Sequence, residues 1–256
     1  MLAIERKNEI LDKLRAEQRV LVSDLAAYYH VTEETIRRDL DKLEKEGYAT
    51  KTYGGAILGN STKTDLSYTI RNKTNVEAKN QIAAIASRLI EDGDHLMLDD
   101  SSTSLYLAKK LKEKKNLTVI TNSVELVVEL SDVEGWTILL TGGRLKPESL
   151  ALVGDQTQQM LRQYHVDKAI MSCKGIDLES GVTDSSEFHS QTKQSMLRCA
   201  KTRILILDSS KFDKISFIDI APLDVFDTIV TNAAPSKAWL DYFAEHGIEC
   251  LYPGAK

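Results

Sequence analysis

The sequence predicts two domains: a mainly α-helical, winged helix-turn-helix domain, followed by an α/β domain with a mostly parallel sheet. In residues 1–58, apolar positions recur every three or four residues, as they do on the buried face of a helix. From residue 76 onward, short apolar segments alternate with amphipathic ones, which is typical of the strands and helices of a doubly wound sheet. The polar segment 59–75 is interpreted as a linker, and residues 76–256 as the second domain.

The composition is that of an ordinary globular protein and argues against a strongly basic, a metal-binding, a disulfide-rich or a membrane-spanning protein. The 256 residues are 42% hydrophobic and 28% charged, with a formal net charge of −5. Residues 1–58 contain ten Lys or Arg and eleven Asp or Glu, so bulk positive charge cannot hold them to a nucleic acid. The cysteines and histidines show no zinc-ligand spacing and no disulfide framework, so we predict neither a metal nor a cofactor. The charged N-terminus and the lack of an apolar run of about 20 residues predict a cytoplasmic protein without a membrane span.

The first domain is predicted to contain three helices. We expect residues 3–17 to form the first, and the hydroxyls of Ser23 and Thr32 to cap the next two, because each oxygen can accept a bond from a free N–H of the first turn. Gly47 is where the third helix should end. The buried face of the first helix is predicted to consist of Ile4, Ile10, Leu11 and Leu14, and that of the third of Ile36, Leu40 and Leu43.

The second and third predicted helices have the layout of a helix-turn-helix DNA reader, in which the first residues of the later helix contact base edges in the major groove. A following segment rich in Thr and Tyr closes on Gly54 and Gly55, which predicts a β-ribbon, or wing. The alternative is an ordinary helical hairpin with two solvated arginines. The candidate DNA contacts are Thr35, Arg37 and Arg38 on the helix, and Lys51 and Thr52 on the wing.

Four strand ends of the second domain are unusually polar and small, and ligands of open α/β sheets bind beyond the carboxyl ends of the strands. Their hydroxyls, helix-start N–H groups and glycines suit a phosphate group, and Arg144 and Lys211 add positive charge. Each stretch alone is more often a simple helix cap, but the topology brings successive strand ends together. We therefore predict a pocket for an anionic small molecule, with a phosphosugar as the preferred class. The stretches are residues 99–104, 120–123, 141–144 and 208–211, with 173–187 and Lys193 as candidates for the sugar end.

Specific motifs in both domains resemble those of one family. In the first domain they are VTEETIRRDL at residues 31–40, Leu43-Glu44, Gly47 and Tyr53-Gly-Gly-Ala56. In the second they are Asp100-Ser-Ser-Thr103, Thr121-Asn-Ser123, Gly142-Gly143, Gly154, Lys174-Gly-Ile176, Glu187, Lys193 and Ser210-Lys211. Over nearly its whole length the chain resembles the DeoR/GlpR family of bacterial transcriptional regulators. The family often has histidine where this chain has Tyr53, which leaves the wing assignment intact.

The resemblance implies a sensor domain similar to ribose-5-phosphate isomerase, which binds a phosphorylated sugar. It also implies a homo-oligomer, either a dimer or a tetramer, that binds operator DNA and usually represses a sugar-catabolism operon. The residues it implies for DNA contact are Thr35, Arg37, Arg38, Lys51, Thr52 and Tyr53, with the cap Thr32 beside them. The residues predicted for the effector are Asp100, Ser101, Ser102, Thr103, Thr121, Asn122, Gly142, Gly143, Arg144, Lys174, Gly175, Glu187, Lys193 and Lys211.

Two other functions stay open on the sequence alone. Aldose–ketose isomerases of the related fold carry an Asp-Gly-Ala-Asp run, where this chain aligns Lys174-Gly-Ile-Asp177, so one acid is replaced by lysine. Glu187 could still serve as the base that such a reaction needs, although the set looks broken. The third function is a structural protein without a ligand, for which no sugar phosphate would raise the melting temperature.

Overall fold

The computed structural model of the protein describes residues 2–17, 19–45, 48–58 and 68–254. The chain divides into two compact units, Met1–Ile70 and Arg71–Lys256. Each unit has its own hydrophobic core.

The first unit is a winged helix-turn-helix, as predicted. Its elements are α1 (Ala3–Glu17), β1 (Arg19–Leu21), α2 (Val22–Tyr29), α3 (Glu33–Lys45), β2 (Ala49–Thr52) and β3 (Gly55–Leu58). The helices pack with a small antiparallel sheet in which β3 lies between β1 and β2. Gly55 allows the sheet to close, because a Cβ there would lie 2.1 Å from the carbonyl oxygen of Val20. Gly47, the predicted end of the third helix, lies outside the described residues.

The two predicted helix caps have different outcomes. Thr32 does cap α3, since the N–H of Thr35 donates to its hydroxyl oxygen over 3.3 Å. The prediction for Ser23 is wrong. Helix α2 begins at Val22 with Leu21 as its N-cap residue, two residues before the predicted cap. The free N–H of Val22 donates to the Gly54 carbonyl of the wing, and the Ser23 hydroxyl bonds to Asp24.

The buried face of α1 also differs from the prediction at its start. Ile10 and Leu14 are buried, but Ile4 is 64% exposed. At about 100° per residue, Ile4 lies roughly 120° around the helix from Ile10, whereas Arg6 lies on the same side as Ile10. Arg6 is buried there, and its Nε donates to the Asp39 carboxylate over 2.6 Å.

The second unit is built around a seven-stranded sheet. The helices from residue 68 onward are α4 (Tyr68–Lys73), α5 (Val76–Ala86), α6 (Ser102–Leu111), α7 (Val124–Leu130), α8 (Asp155–Leu161), α9 (Glu187–Cys199) and α10 (Lys237–Glu245). The strands are β4 (His95–Leu98), β5 (Thr118–Thr121), β6 (Thr137–Leu140), β7 (Arg144–Lys146), β8 (Ala151–Val153), β9 (Val166–Met171), β10 (Gly175–Asp177), β11 (Gly181–Asp184), β12 (Ala200–Ile206), β13 (Ile218–Ala221), β14 (Thr228–Val230) and β15 (Glu249–Leu251). Helix α4 falls within the predicted linker, whose residues 59–67 lie outside the described part.

The main sheet has the order β15-β14-β12-β9-β4-β5-β6, and every neighbouring pair is parallel. Both of its faces are covered. Met97 and Leu205 pack in one core with Trp239 of α10, while Leu96 and Ile204, which point to the other face, are equally buried. Strands buried on both faces form nearly continuous apolar runs, which is why the sequence locates the central strands of this sheet. Their carboxyl ends meet at one edge of the sheet and place the loops of the candidate site there.

The sequence does not predict two smaller antiparallel sheets in this unit. Strand β7 pairs with β8, and β11 lies between β10 and β13. These strands are three or four residues long, and all but β8 include a glycine or a charged residue. In segments this short, neither alternation nor an apolar run is long enough to mark a strand.

Candidate functional sites

Helix α3 presents a polar face at its N-terminal end. Its opposite side is fixed in the core, because Ile36, Leu40 and Leu43 are all buried. Arg37 and Arg38 are consequently exposed, as the pattern predicts. The hydroxyls of Thr32 and Thr35 lie 2.9 Å apart at the start of the helix.

Every predicted DNA-contacting cation is paired with an acid in this structure. Arg37 Nη2 lies 2.6 Å from Glu33 Oε2, and Arg38 Nε lies 3.4 Å from Glu34 Oε1. Lys51 forms an ion pair with Asp41, and this hydrogen bond raises the pKa of Lys51 and lowers the pKa of Asp41.

The wing lies beside α3 in the same unit. The Lys51–Asp41 pair joins strand β2 to α3, and the backbone N–H of Lys51 donates to Glu44 Oε1 over 2.8 Å. Tyr53 is fully exposed at the tip, next to Gly54, whose φ of +89° makes the turn. The structure thus gathers the predicted DNA residues into two groups, the first turns of α3 and the wing tip.

In the second unit, two adjacent buried aspartates follow strand β4. The carboxylate of Asp99 accepts bonds from the N–H of Ser172 over 2.9 Å and from the Ser104 hydroxyl over 2.5 Å. Asp100 Oδ1 lies 3.2 Å from His189 Nδ1 and accepts a bond from Asn122 Nδ2 over 3.3 Å. These contacts join the ends of β4, β5 and β9 to helix α9.

Lys193 is the cation at the centre of this cluster. Its Nζ lies 2.5 Å from Asp184 Oδ2 and 3.6 Å from Asp99 Oδ2, and its side chain is buried. Burial favours the neutral amine, but the carboxylates of Asp184, Asp99 and Asp100 outweigh it and raise the pKa of Lys193 above its ordinary value. Burial likewise opposes ionisation of Asp100 and Asp184, yet His189 and Lys193 hold both pKa values below the ordinary range. Lys193, Asp100 and Asp184 are therefore charged at neutral pH.

Three buried polar atoms at the carboxyl ends of the main-sheet strands have no hydrogen-bond partner within the described part of the chain. They are Asn122 Oδ1, Thr141 Oγ1 and Thr231 Oγ1, which follow β5, β6 and β14. The Asn122 side chain is oriented by its own Nδ2, which donates to Asp100 and to the carbonyl of Leu152. An unpaired buried acceptor is costly, so these atoms are candidates for contact with a hydroxylated ligand.

Further predicted effector residues border the cluster. Ser101 caps α6 by accepting the N–H of Ser104 over 3.1 Å, and Ser102 and Thr103 are buried in its first turn. Thr121 is also buried, and its hydroxyl oxygen accepts the N–H of Ser123. These residues form the wall of the site at the ends of β4 and β5.

Other predicted effector residues have different surroundings. Gly143 and Gly175 are needed for packing, because a Cβ at either would lie 2.3 Å from the Thr157 hydroxyl or the Lys214 carbonyl, respectively. A Cβ at Gly142 would meet open space.

Two charged candidates are not brought into the buried cluster. Glu187 is exposed and accepts a bond from Gln191 over 3.0 Å. Arg144 is exposed, and its guanidinium lies over the ring of Phe188.

Lys174 and Lys211 act on carboxylates at the same edge. Lys174 contributes to the lowered pKa of Asp184. Burial alone would raise the pKa of Asp208. The positive charge of Lys211 and the hydrogen bonds from Ser210 outweigh burial, so the pKa is lower than its ordinary value.

Asp99 and Asp184 lie within the predicted stretches 99–104 and 173–187 but are not among the individually predicted effector residues, and His189 lies outside every predicted stretch. The two aspartates do carry a signal, because each lies directly after or at the end of a strand. His189 has none. Its partner Asp100 is 89 residues away, and only the fold brings them together.

Two family models match the chain. The DeoR-like helix-turn-helix domain matches residues 6–62, and the DeoR C terminal sensor domain matches residues 74–233. The chain belongs to the DeoR family of transcriptional regulators. The resemblance seen in the motifs is thereby confirmed, and so is a fold with an N-terminal winged helix-turn-helix and a parallel α/β sheet.

Relatives of similar length support this membership. The chain is 39% identical to the HTH-type transcriptional repressor GlcR of Bacillus subtilis over 96% of its own length and 95% of the relative. It is 38% identical to the uncharacterized HTH-type transcriptional regulator YulB of the same species, over 93% and 92% of the two chains. The glycerol-3-phosphate regulon repressor of Escherichia coli is 26% identical over 97% of this chain and 98% of that protein.

Solved structures are similar at a lower level. Ribose 5-phosphate isomerase A of Methanocaldococcus jannaschii matches with a TM-score of 0.40 and 18% identity, over 54% of this chain and 55% of the isomerase. The eIF2B beta subunit of Chaetomium thermophilum matches with a TM-score of 0.45 and 21% identity, over 67% and 54% of the two chains. Within the described ranges, no helix of this chain is long and apolar enough to cross a membrane.

Proposed function

We propose that this DeoR-family regulator represses a sugar-catabolism operon from the cytoplasm, and that a phosphorylated sugar controls its affinity for DNA. In this proposal α3 and the wing contact the operator, through the seven residues from Thr32 to Tyr53 named above. The sugar phosphate binds at the carboxyl ends of β4, β5 and β9. The protein acts as a homo-oligomer, because each first unit has too little positive charge to hold DNA alone.

The observation that carries the effector assignment is the buried charge cluster around Lys193. Lys193 is buried at this edge, and Lys174 and Lys211 act on the carboxylates of Asp184 and Asp208 beside it. Cations gathered at the strand ends favour an anionic ligand. The start of α6, with the hydroxyls of residues 101–103, suits its phosphate, and the unpaired Asn122 Oδ1 suits a sugar hydroxyl.

The proposed control is a shift in population. An effector can move an equilibrium only by its difference in affinity for the two states, so the sugar phosphate must favour one arrangement of the subunits. That arrangement would change the spacing of paired recognition helices away from the roughly 34 Å between successive major grooves.

The test is a thermal-unfolding screen of the full chain with a panel of phosphorylated sugars. Each sugar phosphate is compared with its unphosphorylated sugar and with inorganic phosphate. A true effector at 100 times its dissociation constant should stabilise the protein by roughly 2.7 kcal/mol. Failure of every sugar phosphate would contradict the proposal and favour a protein without a ligand.

We do not propose isomerisation. The relatives are named as regulators, and Glu187, the candidate base, is exposed and lies outside the buried cluster. Incubation with ribose 5-phosphate checks this directly, because turnover above background would require a catalytic role for the second unit.

A further inference from the structure

The recognition face of α3 carries equal numbers of positive and negative side chains in its first two turns. Glu33 and Glu34 are exposed beside Arg37 and Arg38. A face that contacted only phosphates would gain from cations and lose from carboxylates, since phosphates repel them. The two glutamates therefore need a role other than contact with the DNA backbone.

The two glutamate–arginine pairs are built differently. Glu33 and Arg37 meet at 2.6 Å with side chains 51% and 49% exposed, whereas Glu34 and Arg38 meet at 3.4 Å with 65% and 73% exposed. The first pair is short enough for a direct charge-assisted hydrogen bond, and the second is not. Of these two arginines, Arg37 is the one whose guanidinium is held by a direct bond to its acid.

The bond to Glu33 leaves most of the Arg37 donors available. A guanidinium has five N–H donors, and the contact to Glu33 is made through Nη2. A bidentate contact to guanine O6 and N7 needs two donors in a fixed plane. An arginine whose plane is already fixed loses less side-chain freedom on binding than one that moves freely.

We infer that Glu33 is a positioning residue for base recognition, which fixes the guanidinium of Arg37 so that its remaining donors address a guanine in the major groove. The inference rests on the proposed function, in which α3 lies in that groove. It assigns the specificity of one base pair in each half-site to the Glu33–Arg37 pair. Glu34 is not part of this pair and provides the matched comparison.

A simpler role for Glu33 is to stabilise α3. Acids in the first turn interact favourably with the helix dipole, and an exposed pair four residues apart adds a little to helix stability. Such a role would weaken binding to every DNA sequence alike. A positioning role changes the preference for one base pair, so the base preference separates the two.

The experiment uses the full chain and a library of duplex oligonucleotides with a randomised central segment. Selection and sequencing give the base preference of the unaltered protein, and Arg37→Ala identifies the base pair that Arg37 reads. Glu33→Gln, Glu33→Asp and Glu34→Gln are then compared at that base pair. Aspartate keeps the charge at the helix start but is one methylene too short to hold Arg37.

We expect the unaltered protein to prefer guanine at that position by on the order of tenfold. Glu33→Gln and Glu33→Asp should both reduce this preference to about twofold or less, while Glu34→Gln retains it. In an Arg37→Ala background, Glu33→Gln should cause no further change at that base pair. Thermal unfolding of each variant confirms that its first unit is folded.

Several results would overturn the inference. The first two are that Glu33→Gln, or Glu33→Asp, keeps the full preference for guanine at that base pair. The third is that Glu34→Gln loses this preference as much as Glu33→Gln does. The fourth is that Glu33→Gln changes the base preference further when Arg37 is already alanine. The last would mean that Glu33 contacts a base itself. Failure of the proposed function is distinguishable, because the unaltered protein would then enrich no sequence from the library.

Discussion

At the scale of single residues, the second unit contains buried charges that depend on one another. Lys193 lies between Asp184 and Asp99, and all three side chains are almost fully buried. A buried ion pair contributes little compared with well-packed apolar residues, but the loss of one partner leaves an uncompensated charge. The cluster is therefore sensitive to substitution even where no ligand contact is involved.

Substitution of Lys193 by methionine tests this dependence. Lys193→Met should lower the free energy of unfolding by about 3–5 kcal/mol, because Asp184 and Asp99 would lose their counter-charge. Urea unfolding measures the change. The control is Lys109→Met, which removes a partly exposed lysine 3.6 Å from Glu129 and should cost no more than about 1 kcal/mol. Similar small losses in both variants would mean that the cluster is not electrostatically coupled.

The same carboxylates predict how stability depends on pH. The pKa values of Asp100 and Asp184 are lowered in the folded protein, whereas the unfolded chain has a value of about 3.9. Below that value the unfolded chain binds more protons than the folded one. The stability that these groups add is thus complete above pH of about 4 and is lost as the pH falls towards the folded pKa values.

Urea midpoints measured across this acidic range check the expectation. The unaltered protein should lose stability steeply below pH of about 4, and Asp184→Asn should lose less over the same interval. Equal slopes for the two proteins would show that Asp184 is not one of the responsible groups.

At the scale of elements, α3 separates into a buried apolar side and an exposed polar side. Ile36, Leu40 and Leu43 hold it in the core, so Arg37 can be changed without disturbing the packing. Arg37→Ala should therefore weaken operator binding by about tenfold or more, with loss of the base preference at one position, while the stabilisation by a phosphosugar persists. Gel-shift and thermal-shift measurements on one preparation test both halves. Lys42→Ala, an exposed change on the same helix, serves as the control. Loss of both activities would mean that Arg37 supports the fold.

Elements with a strong period are predictable from the sequence, and short ones are not. The strands of the main sheet are found because most of them contain an apolar run, while β10, β11 and β13 are missed because they are short and mixed. The site divides in the same way. Asp100 and Asn122 follow strands and are anticipated, whereas His189 reaches Asp100 only through the packing of α9. The predicted burial of Ile4 is wrong because the position of a residue around the helix, and not its apolar character alone, decides whether it is buried.

At the scale of the whole molecule, charge limits how the protein can bind DNA. The first unit has no excess of cations in residues 1–58, and each of its candidate cations is paired with an acid. Affinity must then come from a few specific contacts made more than once. Two first units on one operator, joined through the rest of a homo-oligomer, would supply the second set of contacts.

Changing the number of base pairs between the two half-sites of the selected operator tests whether two first units bind it together. Insertion of about 5 base pairs between the half-sites turns one of them to the opposite side of the duplex, and should reduce affinity to that of a single half-site. Insertion of about 10 base pairs restores the facing side and should recover part of the affinity, since only the distance has changed. Gel-shift titrations at constant salt measure both, because salt alone alters DNA affinity strongly. If neither insertion weakens binding, one recognition helix is sufficient, and the proposed control through helix spacing fails with it.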